Sequence, residues 1–356
     1  MRNMNKLFSI GIILLASLGC KAQTEVSNFV PGSTLEGVNY YMPRTAFRIV
    51  VEAEKTVTTP GELCNYAFKY LRMKDVPTEA STEWRLLKVT MEPYGIPDKT
   101  KAYNIKLKSK TLAPLVGLSR DGILLSINSE ASESSLPALP EGKAASALQN
   151  PKKFMSQEML AANSTAKLAE LCAQEIYDIR DSHNALIRGE ADNTPKDGAQ
   201  LKLMLDQLTL QAETLEQLFK GTTQTSTHIF SLDIDPQTEG EEVLFRFSKF
   251  LGMVDADDLS GRPIYLNVKN MNSTPAPVSD PATAKKKEKM EKGIYYNVPA
   301  RMGVSIYDDK QTLCEGEYPM GQFGTVEILS DALFNKGVTT KVSFYQNTGA
   351  IKKIEQ

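Results

Sequence analysis

The sequence predicts an α+β protein that is mainly antiparallel β. Two related β-rich modules, each a sandwich or a partly open barrel, flank an inserted antiparallel α-helical hairpin. Three observations predict this fold class. Much of the chain alternates apolar and polar residues with a period of two, which is typical of half-buried strands. The middle of the chain changes to a helical period. Two phrases, one on each side of the helical region, resemble each other in order and spacing.

The chain begins with a segment, residues 1–22, that has the composition of a signal peptide. Arg2 and Lys6 precede the apolar run 7–18. This run is shorter than the ~20 apolar residues that a membrane-spanning helix needs, and small residues follow it. We therefore expect an exported protein, located in the periplasm, on the outer-membrane surface or outside the cell, with no transmembrane span in the mature chain.

The sequence leaves two ways of processing this segment open. A signal peptidase that cuts after Ala22 would release a mature chain without an anchor. Alternatively, Cys20, which follows Gly19, is a site of lipid attachment that tethers the protein to a membrane. Ser17 and Leu18, which precede this glycine, stand in the reverse of the order that is usual at lipid-attachment sites.

Residues 35–130 form the first predicted β-rich module. In the segment 47–53 every second residue is apolar while Arg48 and Glu52 lie between them, so one face of this strand should be buried. Asp121-Gly122 has the turn chemistry of a β-hairpin, which favours antiparallel pairing.

Residues 131–151, rich in Ala, Ser and Pro, are predicted to be a linker, and residues 152–220 to be the helical hairpin. The first helix is predicted to begin after Ser156 as N-cap and to end at Gly189. For the second helix we predict Thr194 as N-cap, because a proline follows it directly.

Residues 224–356 form the second predicted module, within which the Lys-rich stretch 271–292 is predicted to be a flexible loop. Residues 69–75 and 249–255 share a Lys, an aromatic residue, a Leu, a Met and an Asp in register. We interpret this as an internal duplication, with a short helix at each of the two phrases.

Composition and charge exclude some classes of function. The 356 residues include 41 Lys plus Arg and 43 Asp plus Glu, which gives a formal net charge of -2. This balance provides no basic surface for nucleic acid. The chain has only two histidines, so a three-histidine metal site cannot form, and we expect no metal and no cofactor.

Three candidate nucleophilic or basic groups have simpler structural interpretations. Ser164 and Lys167 match the Ser-x-x-Lys spacing of penicillin-recognising enzymes, but the Lys-Thr-Gly of those enzymes does not occur in the chain. In addition, the serine is predicted to lie inside a long helix. His183 and His228 fall in different predicted units, where histidines are usually structural.

Acidic residues form the only candidate catalytic clusters in the sequence. Paired carboxylates can hydrolyse glycosidic bonds when they face each other across a cleft of sugar size, with aromatic residues in its walls. One cluster lies near the tip of the helical hairpin and the other follows the second repeated phrase. The candidates are Asp178, Asp181, Glu190 and Asp192 in the first cluster, and Asp255, Asp257 and Asp258 in the second.

Four phrases carry a family resemblance that covers nearly all of the mature chain. They are residues 37–43, 69–75, 175–198 and 243–261. On these phrases the chain resembles an exported family of Bacteroidales-type bacteria that is catalogued as domain of unknown function 4831. The resemblance implies an envelope or secreted location, and it brings no catalytic or binding residues.

Together these observations predict an exported cell-envelope protein that acts as a non-enzymatic binding or structural protein. Its module and hairpin surfaces would contact an envelope protein or a glycan. The alternative is a carboxylate-dependent hydrolase that acts on glycan or peptidoglycan. The two hypotheses differ in where the acidic residues should lie, because only the hydrolase needs two of them in one cleft.

Overall fold

The computed structural model describes residues 25–28, 37–106, 115–192, 195, 197–272, 293–334 and 340–356. The predicted signal peptide, including Cys20, and most of the predicted Lys-rich loop lie outside these residues. The strands, in chain order, are β1 (Glu25–Asn28), β2 (Val38–Thr59), β3 (Ser81–Lys106), β4 (Val116–Leu118), β5 (Leu124–Ile127), β6 (Thr222–Ile234), β7 (Gly240–Ser248), β8 (Gly252–Val254), β9 (Arg262–Asn270), β10 (Gly293–Tyr307), β11 (Thr312–Ser330), β12 (Lys341–Phe344) and β13 (Ile351–Glu355). The α-helices are α1 (Ala67–Leu71), α2 (Gln157–Leu160), α3 (Thr165–Arg188) and α4 (Gly198–Lys220).

The strands form three sheets whose neighbouring strands are antiparallel, which confirms the predicted fold class. The first sheet has the order β1-β3-β2-β6, the second β11-β10-β9-β7-β8, and the third β13-β12-β5-β4. Two of the sheets each contain strands from both predicted modules. In particular, β6 pairs with β2 from Phe47 to Thr59, and β12 pairs with β5.

The first two sheets pack face to face around the largest core. The alternating residues Phe47, Ile49, Val51 and Ala53 of β2 are each 0% exposed, as predicted from the period of two. They pack against buried side chains of the second sheet such as Phe245. Burial of this kind contributes about 25 cal/mol for each Å² of apolar surface that leaves water, so this core dominates the stability of the sandwich.

Strand β3 crosses the second sheet from one edge to the other. The ring of Trp84 lies against Gly252 on β8, and Cys314 on β11 packs against the core that contains Met91. Since β8 and β11 are the two edge strands of the second sheet, β3 runs across its strands rather than along them. This is the orthogonal way of packing two sheets, and it leaves open space where a strand of one sheet passes the strand ends of the other.

The helical hairpin of α3 and α4 is present, but both of its helices begin elsewhere than predicted. Ser156 caps only α2, and the chain leaves the helix before Ser164 caps α3 by accepting a hydrogen bond from the backbone of Lys167. Asp197 caps α4 by accepting from the backbone N–H of Ala199, so this cap lies three residues after the predicted one, Thr194, which is outside the described residues. Serine and aspartate are both preferred N-caps, because their side-chain oxygens accept from the first free N–H groups of a helix.

The predicted linker runs as an extended strap beside β6, the free edge of the first sheet. The backbone N–H of Thr227 donates to the carbonyl of Lys143 at 2.8 Å, and Gln224 donates to the carbonyl of Ser146 at 3.0 Å. Nearer the other end of β6, Arg48 donates to the carbonyl of Pro137. The strap therefore covers backbone groups that an edge strand would otherwise leave open.

The prediction of a short helix at the second repeated phrase is wrong, whereas α1 overlaps the first phrase. At the second phrase, Ser248 Oγ accepts hydrogen bonds from the backbone N–H groups of Phe250 and Leu251, which makes a tight turn between β7 and β8. The two phrases still share a backbone feature, because Arg72 and Gly252 occupy equivalent positions and have φ values of 54° and 81°. At Arg72 this left-handed residue ends α1, and at Gly252 it begins β8 after the turn.

Candidate functional site

A cavity of about 890 Å³ opens where β3 passes the strand ends of the second sheet. We name it the sandwich groove. Its lining combines aliphatic and aromatic side chains with charged ones, as is common in binding sites. It is lined by Glu54, Thr56, Glu83, Trp84, Arg85, Leu86, Leu87, Lys88, Val89, Phe247, Lys249, Arg262, Ile264, Asp308, Gln311, Thr312 and Leu313.

One wall of the sandwich groove is the outer edge of β3, and every residue from Glu83 to Val89 lines it. Strand β2 pairs with the other edge, and β1 pairs with β3 only from Tyr103 to Lys106. Within the described part of the chain, the outer edge of β3 beside the groove therefore has no strand neighbour. Its backbone groups are available on that side.

A β-bulge shapes this wall. In the pairing of β2 with β3, Glu52 lies opposite Lys88 and the next residue, Ala53, lies opposite Leu86. Leu87 is the inserted residue, and it remains 43% exposed at the groove although it is a large apolar side chain. Bulges commonly redirect a side chain beside a functional site.

The edge of β3 divides the sandwich groove into two sides. Trp84 and Leu86 face the second sheet, where they pack against the core that contains Phe247 and Ile264. Arg85 lies on the opposite face, where it contacts Glu54. The groove thus has an apolar inner side and a charged outer side, because successive side chains of a strand point in opposite directions.

Most charged side chains of the groove are paired with each other. Arg85 lies 2.8 Å from Glu54, and Lys249 lies 2.9 Å from Glu83. Lys88 is exposed, and it has no ion-pair partner among the described residues. The groove therefore presents one uncompensated basic group on its outer side.

Trp84, the single tryptophan of the chain, is fixed in position at the end of the groove. A Cβ at Gly252 would lie 2.9 Å from its ring, so only glycine lets β8 approach so closely. The ring centroids of Trp84 and His228 are 5.0 Å apart, and the Lys55 ammonium lies 5.5 Å from the tryptophan ring. His228 is hydrogen-bonded to Ser226 Oγ at 3.0 Å.

None of the acidic residues predicted as catalytic candidates lines the sandwich groove. All seven, namely Asp178, Asp181, Glu190, Asp192, Asp255, Asp257 and Asp258, are exposed. Asp178 accepts a hydrogen bond from Gln174 in the preceding turn of α3, and Glu190 lies 3.9 Å from Arg188. The backbone N–H of Ser260 donates to Asp258 in a loop turn and holds the pKa of that carboxyl below its usual value. These three carboxylates therefore make local contacts at the surface.

The remaining candidate residues also lie outside the lining of the sandwich groove. Ser164 stands at the start of α3 rather than inside a helix as predicted, and its hydroxyl caps the helix. His183 borders a smaller cavity between α3 and α4, together with Arg180 and Glu216. No group of three or more His, Cys, Asp or Glu side chains with metal-binding geometry occurs within the described ranges.

The three cysteines of the described chain, Cys64, Cys172 and Cys314, are free thiols. Burial raises the pKa of the Cys172 thiol to about 11. A thiol with a raised pKa is a poor nucleophile at neutral pH, so this cysteine acts as a small apolar residue of the helical core.

Sequence reasoning missed the sandwich groove. The alternation around Trp84, Arg85 and Lys88 predicts an ordinary strand, and the internal duplication predicts a short helix at Lys249. The signal that could have drawn attention to it is the apolar pair Leu86-Leu87, which breaks the alternation in β3.

Comparisons with known proteins place the chain in a family. Among the described helices, none combines the length and the apolar character needed to cross a membrane. No curated protein and no solved structure matches the chain. The model of a family described as "Domain of unknown function (DUF4831)" matches residues 36–352, so the chain belongs to this family.

Proposed function

We propose that this protein is an exported cell-envelope protein that works by non-enzymatic binding, and that the sandwich groove is its main contact surface. The observation that carries the proposal is the open edge of β3 inside a groove with an apolar inner side and a charged outer side. The basic, then apolar segment at residues 1–22 supports export. The partner would be another component of the envelope.

The arrangement of the groove favours binding over catalysis. Two of its acidic residues, Glu54 and Glu83, are ion-paired with Arg85 and Lys249. A hydrolase of the predicted kind needs two carboxylates that face one substrate, with one of them protonated. Asp308 accepts hydrogen bonds from the backbone of Lys310 and Gln311 in its own turn, so it also has a structural role.

The helical hairpin offers a second, smaller contact surface. Ile187 near the end of α3 and Leu203 near the start of α4 are 61% and 59% exposed, and Met204 beside them is 38% exposed. Large apolar side chains that remain in water near the tip of a hairpin are typical of surfaces that contact other molecules. We assign the main role to the sandwich groove because the open backbone edge of β3 lies there beside apolar and charged side chains.

Photo-crosslinking in envelope extract tests the proposal. A benzoyl-phenylalanine is placed at Leu87 inside the groove and, in a separate variant, at Leu259, which is 81% exposed outside it. We expect a discrete crosslinked partner from position 87 that is absent from position 259. Equal or absent crosslinking at both positions, in variants that keep the native Trp84 emission, would contradict a binding role for the groove.

A further inference from the structure

We infer that the sandwich groove takes an extended peptide, which adds as a strand to the outer edge of β3, with apolar side chains inward and acidic side chains outward. This inference rests on the proposed binding function and names the chemistry of the occupant. Peptides that bind in this way gain affinity from main-chain hydrogen bonds and specificity from alternate side chains.

Hydrogen bonding along the outer edge of β3 has already begun within the protein. The backbone N–H of Trp84 points away from β2 and donates to the carbonyl of Lys249 at 2.6 Å. Since backbone groups alternate in direction along a strand, the N–H of Leu86 also points away from β2, into the groove. Past the turn that carries Lys249, no described strand continues this pairing.

The β6 edge and the β3 edge of the first sheet differ in how their backbone groups are covered. At the β6 edge, the strap from Pro137 to Ser146 accepts hydrogen bonds from outward-facing groups such as the Thr227 N–H. Proteins commonly cover or interrupt an edge that would otherwise pair with another chain. The β3 edge is left open where it borders the sandwich groove, along the stretch from Glu83 to Val89.

The side chains of the occupant must match the two different sides of the groove. A strand beside β3 would direct alternate side chains to the two sides of the groove. On the inner side they would meet Trp84, Leu86 and Leu313, which are apolar. On the outer side they would meet Lys88, which has no ion-pair partner among the described residues, and Arg85, which stays 71% exposed beside its partner Glu54. An alternating apolar and acidic peptide satisfies both sides.

The bulge at Leu87 limits how far a regular ladder can run, because it shifts the pairing by one residue. It also places Leu87 and Lys88 next to each other at the rim. The bound strand would therefore pair with the backbone near Leu86 and be held at the bulge by side-chain contacts.

The test uses synthetic peptides and the fluorescence of Trp84, which reports on the groove alone because it is the only tryptophan. The probe is acetyl-Thr-Glu-Val-Glu-Val-Glu-Thr-amide. A peptide of the same composition with the order Thr-Val-Val-Glu-Glu-Glu-Thr serves as the control for alternation. We expect saturable changes in Trp84 emission with the alternating peptide and at least tenfold weaker binding of the control.

N-methylation tests the main-chain pairing without changing the protein. One peptide is methylated on the valine nitrogens and another on the glutamate nitrogens. Because only one of these sets can face β3, we expect one methylated peptide to lose at least tenfold in affinity and the other to lose much less. Equal affinity of both methylated peptides and the parent would overturn strand addition.

A charge exchange at the rim tests the outer side. The variant Lys88→Glu should weaken binding of the glutamate peptide at least fivefold and bind a peptide with lysines in place of the glutamates better than the native protein does. If lauric acid changes Trp84 emission saturably while none of the peptides does, the groove takes a lipid and the inference is wrong. Retained crosslinking at position 87 together with no peptide binding would refute strand addition but keep the proposed binding function.

Discussion

The backbone amide of Trp84 donates a 2.6 Å hydrogen bond to the carbonyl of Lys249, which joins the edge of β3 to the turn between β7 and β8. The ion pair between Lys249 and Glu83 reinforces this contact from the side chains. The junction connects two sheets whose strands lie far apart in the sequence. It forms one end of the sandwich groove, so the shape of the groove depends on it.

The first prediction concerns the glycine on which this junction depends. Gly252 has φ 81°, and a Cβ there would lie 2.9 Å from the ring of Trp84. We expect Gly252→Ala to lower the free energy of unfolding by about 1–3 kcal/mol, because alanine is strained at positive φ and the added methyl group displaces the ring. Urea unfolding followed by Trp84 emission measures the change.

Gly198→Ala is the matched control for this variant. Gly198 is the first residue of α4, and a Cβ there would meet no atom within 4 Å. Alanine favours the helix over glycine by up to about 1 kcal/mol, so this variant should be unchanged or slightly more stable. Equal destabilisation of the two variants would show that the contact between Gly252 and Trp84 does not matter.

The second prediction concerns a buried amide that joins all three sheets. Asn297 on β10 is 1% exposed, and its Nδ2 donates to the carbonyls of Pro43 and Thr348 at 3.0 and 2.8 Å. Asn297→Asp replaces this donor with an oxygen that faces two carbonyl oxygens. We expect a loss of about 3–5 kcal/mol, since a buried charge would be left without a partner.

Chemical denaturation at pH 7 checks the effect of Asn297→Asp against Asn184→Asp. Asn184 is an exposed residue of α3, where the same change should cost less than about 0.5 kcal/mol. A comparable loss in both variants would mean that the hydrogen bonds from Asn297 stabilise the protein no more than an exposed amide does.

The face of β2 that enters the core could be predicted because apolar residues recur at every second position from Phe47 to Ala53. That periodicity follows from local geometry alone. The hairpin of α3 and α4 could also be predicted, but the first residue of each helix could not. Ser156 and Ser164 are both good N-caps, and tertiary packing selects between them. The local sequence pattern therefore predicts the helices and strands, but it does not predict how they pack together.

The sandwich groove could not be predicted, because it depends on contacts between distant segments. The sequence does not reveal that β6 pairs with β2 rather than within a second module, or that the turn at Lys249 meets Trp84. The bulge at Leu87 depends on how β3 bends across the second sheet. Pairing and bending of this kind are decided by the packing of whole sheets.

The third prediction concerns the strap beside β6. A Cβ at Gly142 would lie 2.6 Å from the carbonyl oxygen of Thr227. We expect Gly142→Val to lift the strap from β6 and to increase its cleavage in limited proteolysis at least fivefold, since detached loops are the preferred sites of nicking. Ala144→Val, an exposed residue of the same strap, is the control and should be cut like the native protein. Unchanged cleavage of Gly142→Val would show that the strap is not held at this position.

The last prediction concerns acid stability and the ion pair between β2 and β6. Arg48 Nε and Nη2 donate to the two carboxylate oxygens of Asp233 at 2.8 and 2.9 Å. These hydrogen bonds hold the pKa of Asp233 below its usual value. A carboxyl whose pKa is lower in the folded than in the unfolded protein contributes stability above its unfolded pKa of about 3.9, and this contribution is lost as the pH falls through the folded pKa. We therefore expect the free energy of unfolding to decline below about pH 4, and we expect this decline to be less steep in Asp233→Asn. At pH 7 the same variant should lose no more than about 1 kcal/mol of stability, because the carboxylate is partly exposed. Denaturation from pH 2.5 to 7, with Asp257→Asn as an exposed control, measures both effects, and an unchanged slope in Asp233→Asn would mean that the pair does not contribute to acid stability.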